Sequence, residues 1–130
     1  MIGVLLATDS DSVFRNIDAA IADDDTVVWR VKRGEDVLAV IEANDPAFVI
    51  LDLQIGNMGG VATCIAIRQE EGFGRLNARP VGLLLDRADD VFIAKQAKAD
   101  AWITKPLDVM ALKRFVATLT SGNTSSRAAT

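Results

Sequence analysis

The chain has 130 residues, 50% of them apolar, and a formal net charge of −4. That length gives one domain with a real core. No apolar stretch approaches the roughly 20 residues that cross a bilayer, and the acidic balance argues against direct nucleic-acid binding. One cysteine, Cys64, and no histidine exclude an internal disulfide, a Cys/His zinc site and histidine acid–base chemistry. The N-terminus lacks a basic flank and a secretory pattern, so a soluble, cytoplasmic protein is expected.

Along the chain, strand and helix signals alternate five times. Ile2–Ala7 is almost wholly apolar and reads as a strand buried on both faces. Ser10 or Asp11 can cap the next helix, which places Val13, Ile17, Ala20 and Ile21 on one face. Asp23-Asp24-Asp25 ends it in a solvated loop. Thr26–Lys32 mixes β-branched residues with charge, which suits an edge strand. A second helix is predicted over Glu35–Ala43.

Asn44-Asp45-Pro46 breaks the pattern before a second apolar run, Ala47–Leu51. Gly56, Gly59 and Gly60 suggest a flexible loop, and a helix is predicted over Gly60–Gln69. Glu70–Arg79 reads as a polar connection, and Val81–Leu85 as the third fully apolar strand. Asp89 is the expected cap of a fourth helix over Asp90–Lys98, followed by a short strand at Ala101–Thr104. Asp108 can cap a last helix whose buried stripe is Val109, Leu112, Phe115, Val116 and Leu119. Residues 1–120 are thus expected to form the domain, and 121–130, small and polar, a disordered tail.

Strict alternation with short connections argues for a parallel sheet covered by helices on both faces. The three all-apolar strands are the first, third and fourth, and the two mixed ones belong at the edges. The order 2-1-3-4-5 satisfies this, with its switch point between strands one and three. Asp9 and Asp52 close those two strands, and Lys105 closes the fifth. The carboxyl ends of parallel strands share one edge, so two carboxylates and an ammonium converge in one crevice. Paired carboxylates repel unless a cation is shared. Mg²⁺ suits such a site because it takes oxygen ligands and keeps several waters. Lys105 offers a point charge to a phosphoryl oxygen, and phosphoryl transfer needs chiefly this positioning and neutralisation.

With these residues in place, the sequence resembles a response-regulator receiver domain over Ile2–Leu119. The match is carried by Thr8-Asp9 at the family's acidic pair, by the segment Phe48–Gly60 around Asp52, and by Lys105-Pro106. The resemblance implies a doubly wound, flavodoxin-like (βα)5 fold. It implies that Asp52 accepts a phosphoryl group from a histidine kinase or phosphotransfer protein. Asp9, Asp52 and the backbone carbonyl of Gln54 would bind Mg²⁺, or Mn²⁺ in its place. Lys105 would hold the phosphate, and the Lys105–Pro106 peptide would be cis.

Several positions depart from the family. Thr8 replaces the first acid of the pair, which implies weaker Mg²⁺ binding, and Gly56 stands where proline is common. The switch hydroxyl at the end of strand four falls on Leu85, with Asp86 next, and no neighbour from Gly82 to Arg87 supplies a hydroxyl. Trp102 occupies the place of the family's rotating aromatic, where it either switches or simply covers an edge strand.

The leading expectation is a stand-alone phosphoacceptor switch, not an enzyme, with no output domain. It would signal by protein contacts through the face of the fourth helix, fifth strand and fifth helix, and would be able to homodimerise there. Val91, Phe92 and Ile93 give that face apolar material. No nucleic-acid or membrane partner is expected. The alternative is a pseudo-receiver, a binding module independent of phosphorylation, favoured by Thr8, Leu85 and Asp86. A phosphatase or flavin binder ranks below both, because the acidic Thr8-Asp9-Ser10-Asp11 loop is unsuited to a flavin phosphate.

Overall fold

A computed structural model describes residues 2–56 and 58–121. Five parallel strands form one sheet in the order β2-β1-β3-β4-β5. They are β1 (Ile2–Ala7), β2 (Thr26–Val31), β3 (Phe48–Asp52), β4 (Val81–Leu85) and β5 (Ala101–Thr104). The helices are α1 (Asp11–Ile21), α2 (Val37–Asn44), α3 (Gly60–Gly72), α4 (Val91–Gln96) and α5 (Val109–Thr120). The doubly wound order matches the one inferred from strand composition. β3 and β4 are buried throughout, whereas every residue of β2 is half-buried.

Side-chain alternation along the strands divides the apolar residues into two cores. Leu5, Ala7, Val49, Leu51, Leu83 and Leu85 face α2, α3 and α4, where Ile41, Cys64, Ile67 and Ala94 meet them. Val4, Leu6, Phe48, Ile50 and Leu84 face α1 and α5, against Ile17, Leu112, Phe115 and Leu119. Gly82 leaves room on this second face, since a Cβ there would lie 2.5 Å from the Phe115 ring. The helices are therefore fixed by their apolar stripes rather than by intrinsic propensity.

Local differences from the sequence reading have local causes. The third strand includes Asp52, because pairing continues between Asp52 and Leu84 and Leu53 N–H donates to Leu84 O at 3.0 Å. α2 is entered through a 3-10 turn at Gly34–Asp36. Gly34 is buried there, and a Cβ would collide with the Met58 carbonyl and the Thr63 hydroxyl. α3 runs on to Gly72, past the expected end at Gln69. α4 is entered through a 3-10 turn at Ala88–Asp90, so Asp89 lies inside that turn and Asp90 takes the position before α4. The Asp90 carboxylate accepts from Arg87 N–H at 3.0 Å, closing the turn, and makes no capping bond to α4 itself. Ser10 caps α1 and Asp108 caps α5, accepting from Val13 N–H at 3.2 Å and Ala111 N–H at 3.0 Å. The tail beyond Ser121 lies outside the described residues.

Candidate functional site

The carboxyl ends of β1, β3, β4 and β5 carry Thr8, Asp52, Asp86 and Lys105 to one edge of the sheet. Backbone bonds extend the ladder past the strands and fix these positions. Thr8 N–H donates to Val31 O at 3.0 Å, and Lys105 N–H to Leu85 O at 2.8 Å. The Lys105–Pro106 peptide is cis.

Asp52 is the centre of the cluster and is only 2% exposed. Its Oδ1 accepts from Lys105 Nζ at 2.7 Å and from Gln54 N–H at 3.3 Å. Its Oδ2 accepts from the Thr8 hydroxyl at 2.8 Å. A buried carboxylate is tolerated only with a counter-charge and donors of this kind. Thr8 Oγ1 in turn accepts from Ser10 N–H at 3.1 Å, tying the start of α1 to the site.

Lys105 is shared. Its ammonium also donates to Asp86 Oδ1 at 3.1 Å, so it bridges two carboxylates. Burial disfavours the charged ammonium, but the carboxylates of Asp52 and Asp86 outweigh that and hold Lys105 above the usual lysine range. Asp86 Oδ2 is buried with no hydrogen-bond partner among the described residues. Leu85 is fully buried in the core facing α4 and offers the site nothing polar.

Asp9 is exposed at the mouth of the crevice, and its Oδ2 would lie 3.8 Å from a Cβ at Gly56. The β3–α3 loop thus passes beside this carboxylate. Gly60 begins α3, where the sequence reading starts its helix, but the reason a glycine is needed there was not read from the sequence. It is buried at the start of α3, where a Cβ would sit 2.5 Å from the Asp52 carbonyl oxygen. Arg30 was also missed: its Nε–H donates to Thr8 O at 3.1 Å, and its Nη1 pairs with Asp11 at 2.8 Å.

Mg²⁺ typically takes one or two carboxylates, completes its shell with water, and needs no all-protein cage. Among the described residues no group of three or more Asp, Glu, Cys or His is arranged to hold a metal. The buried carboxylate of Asp52 and the exposed one of Asp9 suit such an ion, which would keep most of its waters. Thr8, neutral and donating to Asp52, adds no charge to that set.

A family model for the response regulator receiver domain matches residues 4–117. The chain belongs to this family. It is 33% identical over 107 residues to the transcriptional regulatory protein CseB of Streptomyces avermitilis, covering 81% of this chain and 43% of CseB. It is 29% identical over 89 residues to the nitrate/nitrite response regulator NarL of Escherichia coli, covering 68% of this chain and 40% of NarL. The receiver thus spans about two fifths of these curated relatives. Among solved structures, Vibrio cholerae CheY4 superposes with a TM-score of 0.77 at 21% identity, covering 92% of this chain and 98% of CheY4. The BeF3-activated receiver domain of Klebsiella pneumoniae RstA gives 0.75 at 23% identity, covering 90% and 97%. Both share the fold. Receivers of two-component systems are signalling phosphoacceptors, and no described helix here is long and apolar enough to cross a membrane.

Trp102 is half-buried on β5, packed against the core beneath α4, with Lys95 Nζ 5.8 Å from its ring centroid. On α4, Val91 packs against the core while Phe92 and Ile93 are exposed.

Proposed function

We propose that Asp52 is the phosphoacceptor of a cytoplasmic response regulator, loaded by a histidine kinase or a phosphotransfer protein. The observation that carries this reading is the buried Asp52 carboxylate held 2.7 Å from Lys105 Nζ at the carboxyl edge of the sheet. An ionised carboxylate needs no general base to act as a nucleophile. Asp9, Asp52 and the Gln54 carbonyl would hold Mg²⁺, or Mn²⁺ in its place, and the ion when bound supplies neutralisation of charge on the transferred group. Lys105 turns its ammonium to the phosphoryl oxygens, and Thr8 keeps the Asp52 carboxylate oriented.

The partner surface proposed is the α4-β5-α5 face, where Phe92 is 67% exposed. A downstream protein or a second copy would dock there, with the receiver acting as a switch and not as an enzyme. A second reading, a pseudo-receiver that binds partners without phosphorylation, is favoured by one observation. Both Asp52 oxygens are already engaged, by Thr8 on one side and by Lys105 and Gln54 on the other.

Incubation with Mg²⁺ and acetyl phosphate, followed by intact mass spectrometry, separates the two. The switch reading expects one phosphoryl group on the wild type and none on Asp52→Asn. An unmodified wild type beside a modified, proven receiver would leave the pseudo-receiver reading.

A further inference from the structure

We infer that Asp86 is a positioning residue that occupies Lys105 in place of a phosphoryl group, and that its displacement on phosphorylation is the event passed to α4. This rests on the reading of Asp52 as the phosphoacceptor.

Three observations meet at Asp86. Its Oδ1 holds Lys105 Nζ at 3.1 Å, on the ammonium that also binds Asp52 at 2.7 Å. Its Oδ2 is buried without a hydrogen-bond partner among the described residues, an arrangement that costs free energy and leaves the side chain easily released. Asp86 also directly precedes Arg87, whose N–H donates to the buried Asp90 carboxylate at the entry of α4. A movement of Asp86 is therefore transmitted to α4 through a single short, capped turn.

The chemistry sets the direction of the effect. When an Asp52 oxygen attacks acetyl phosphate, an oxygen–phosphorus bond forms and the bond from phosphorus to the acetate oxygen breaks. Acetate leaves with the bonding electrons, and no proton is transferred. The site then holds a dianionic phosphoryl group where Asp52 carried one negative charge. Asp86, one ammonium away, is repelled, and the phosphoryl oxygens take its place on Lys105. A hydroxyl at the end of β4 would be drawn towards a phosphoryl group, whereas a carboxylate is driven off. Signalling here works by expulsion, and Leu85, buried in the core, takes no part.

Two measurements on the whole chain test this. The first is the rate of phosphorylation by acetyl phosphate with Mg²⁺, read by intact mass, for wild type, Asp86→Asn, Asp86→Ala and Asp86→Glu. Removing the competing charge is expected to raise the rate about fivefold in both neutral variants, while Asp86→Glu, which keeps the charge, stays near wild type. The second is amide hydrogen exchange over residues 87–96, with and without beryllofluoride. Beryllofluoride is expected to raise exchange there in the wild type, and Asp86→Asn is expected to show the raised exchange without it. Unchanged rates in correctly folded neutral variants would overturn the inference, as would wild-type exchange in Asp86→Asn. A wild type that never takes a phosphoryl group would instead defeat the proposed function itself.

Discussion

The Thr8 hydroxyl donates to Asp52 Oδ2 at 2.8 Å in a fully buried contact, although the two lie 44 positions apart in the chain. A neutral donor thus satisfies one oxygen of the buried carboxylate. Thr8→Val removes that donor while keeping the shape, and leaves a buried carboxylate oxygen unsatisfied. The expected loss is about 1–3 kcal/mol, read from urea unfolding. Thr8→Asp is expected to lower stability without Mg²⁺, through like charges at Asp52, and to regain it as Mg²⁺ is added. The test is the unfolding midpoint across a Mg²⁺ titration.

Lys105 is the ammonium between Asp52 and Asp86, and those two carboxylates hold its pKa above the ordinary lysine value despite its burial. A cation whose folded pKa is raised stabilises the fold fully below the unfolded value, and that contribution fades as pH climbs through the folded value. Lys105→Gln is therefore expected to cost about 2 kcal/mol at neutral pH. The cost is expected to remain unchanged up to about pH 10 and to shrink above the ordinary lysine range. Paired urea titrations of wild type and variant at rising pH give the comparison.

Gly60 and Gly72 begin and end α3 but answer to different constraints. A Cβ at Gly60 would meet the Asp52 carbonyl oxygen at 2.5 Å and Leu53 Cα at 3.0 Å, both backbone atoms, whereas at Gly72 it meets nothing within 4 Å. Gly60→Ala is expected to destabilise by about 2 kcal/mol or more, and to slow phosphorylation by shifting Asp52. Gly72→Ala is expected to be neutral or to stabilise by about 0.5 kcal/mol. Thermal unfolding of the two variants side by side is the check.

At the opposite end of the strands, Arg68 ties α3 to the starts of β4 and β5. It donates to Lys98 O at 2.9 Å, Arg79 O at 3.1 Å and Asp100 Oδ2 at 2.8 Å, and it pairs with Glu71 at 3.1 Å. Its side chain is 9% exposed, so Arg68→Met is expected to cost about 3 kcal/mol. Phosphorylation of the variant under native conditions is expected to match wild type. A parallel loss of both would place Arg68 in the site's support.

The meeting of Asp52 and Lys105 was legible in the sequence because each interrupts an apolar run at a strand end, and strand ends converge in a parallel sheet. The strand order was legible for a related reason: Thr26–Lys32 and Ala101–Thr104 are mixed in character, unlike the three all-apolar strands, and so suit edges. The Asp86–Lys105 bond was not, since a loop carboxylate carries no local sign of the partner that folding brings to it. The Arg68–Asp100 pair is hidden in the same way, its members 32 positions apart in the chain. At α4, an aspartate before an apolar run reads as a helix cap, but a 3-10 turn at Ala88–Asp90 intervenes and neither Asp89 nor Asp90 makes a side-chain capping bond to the helix, a backbone geometry that composition does not encode. Gly60 looked like flexibility because a glycine is read first as a loop residue. What demands it is the approach of the Asp52 backbone.

Borohydride trapping, which reduces an aspartyl phosphate to homoserine, tests the role of Asp52 most directly when the treated protein is mapped by peptide mass spectrometry. After acetyl phosphate and Mg²⁺, conversion is expected at position 52 alone, and nowhere in Asp52→Asn. Conversion at Asp9 or Asp86, or none at all while a proven receiver in the same tube is converted, would contradict it.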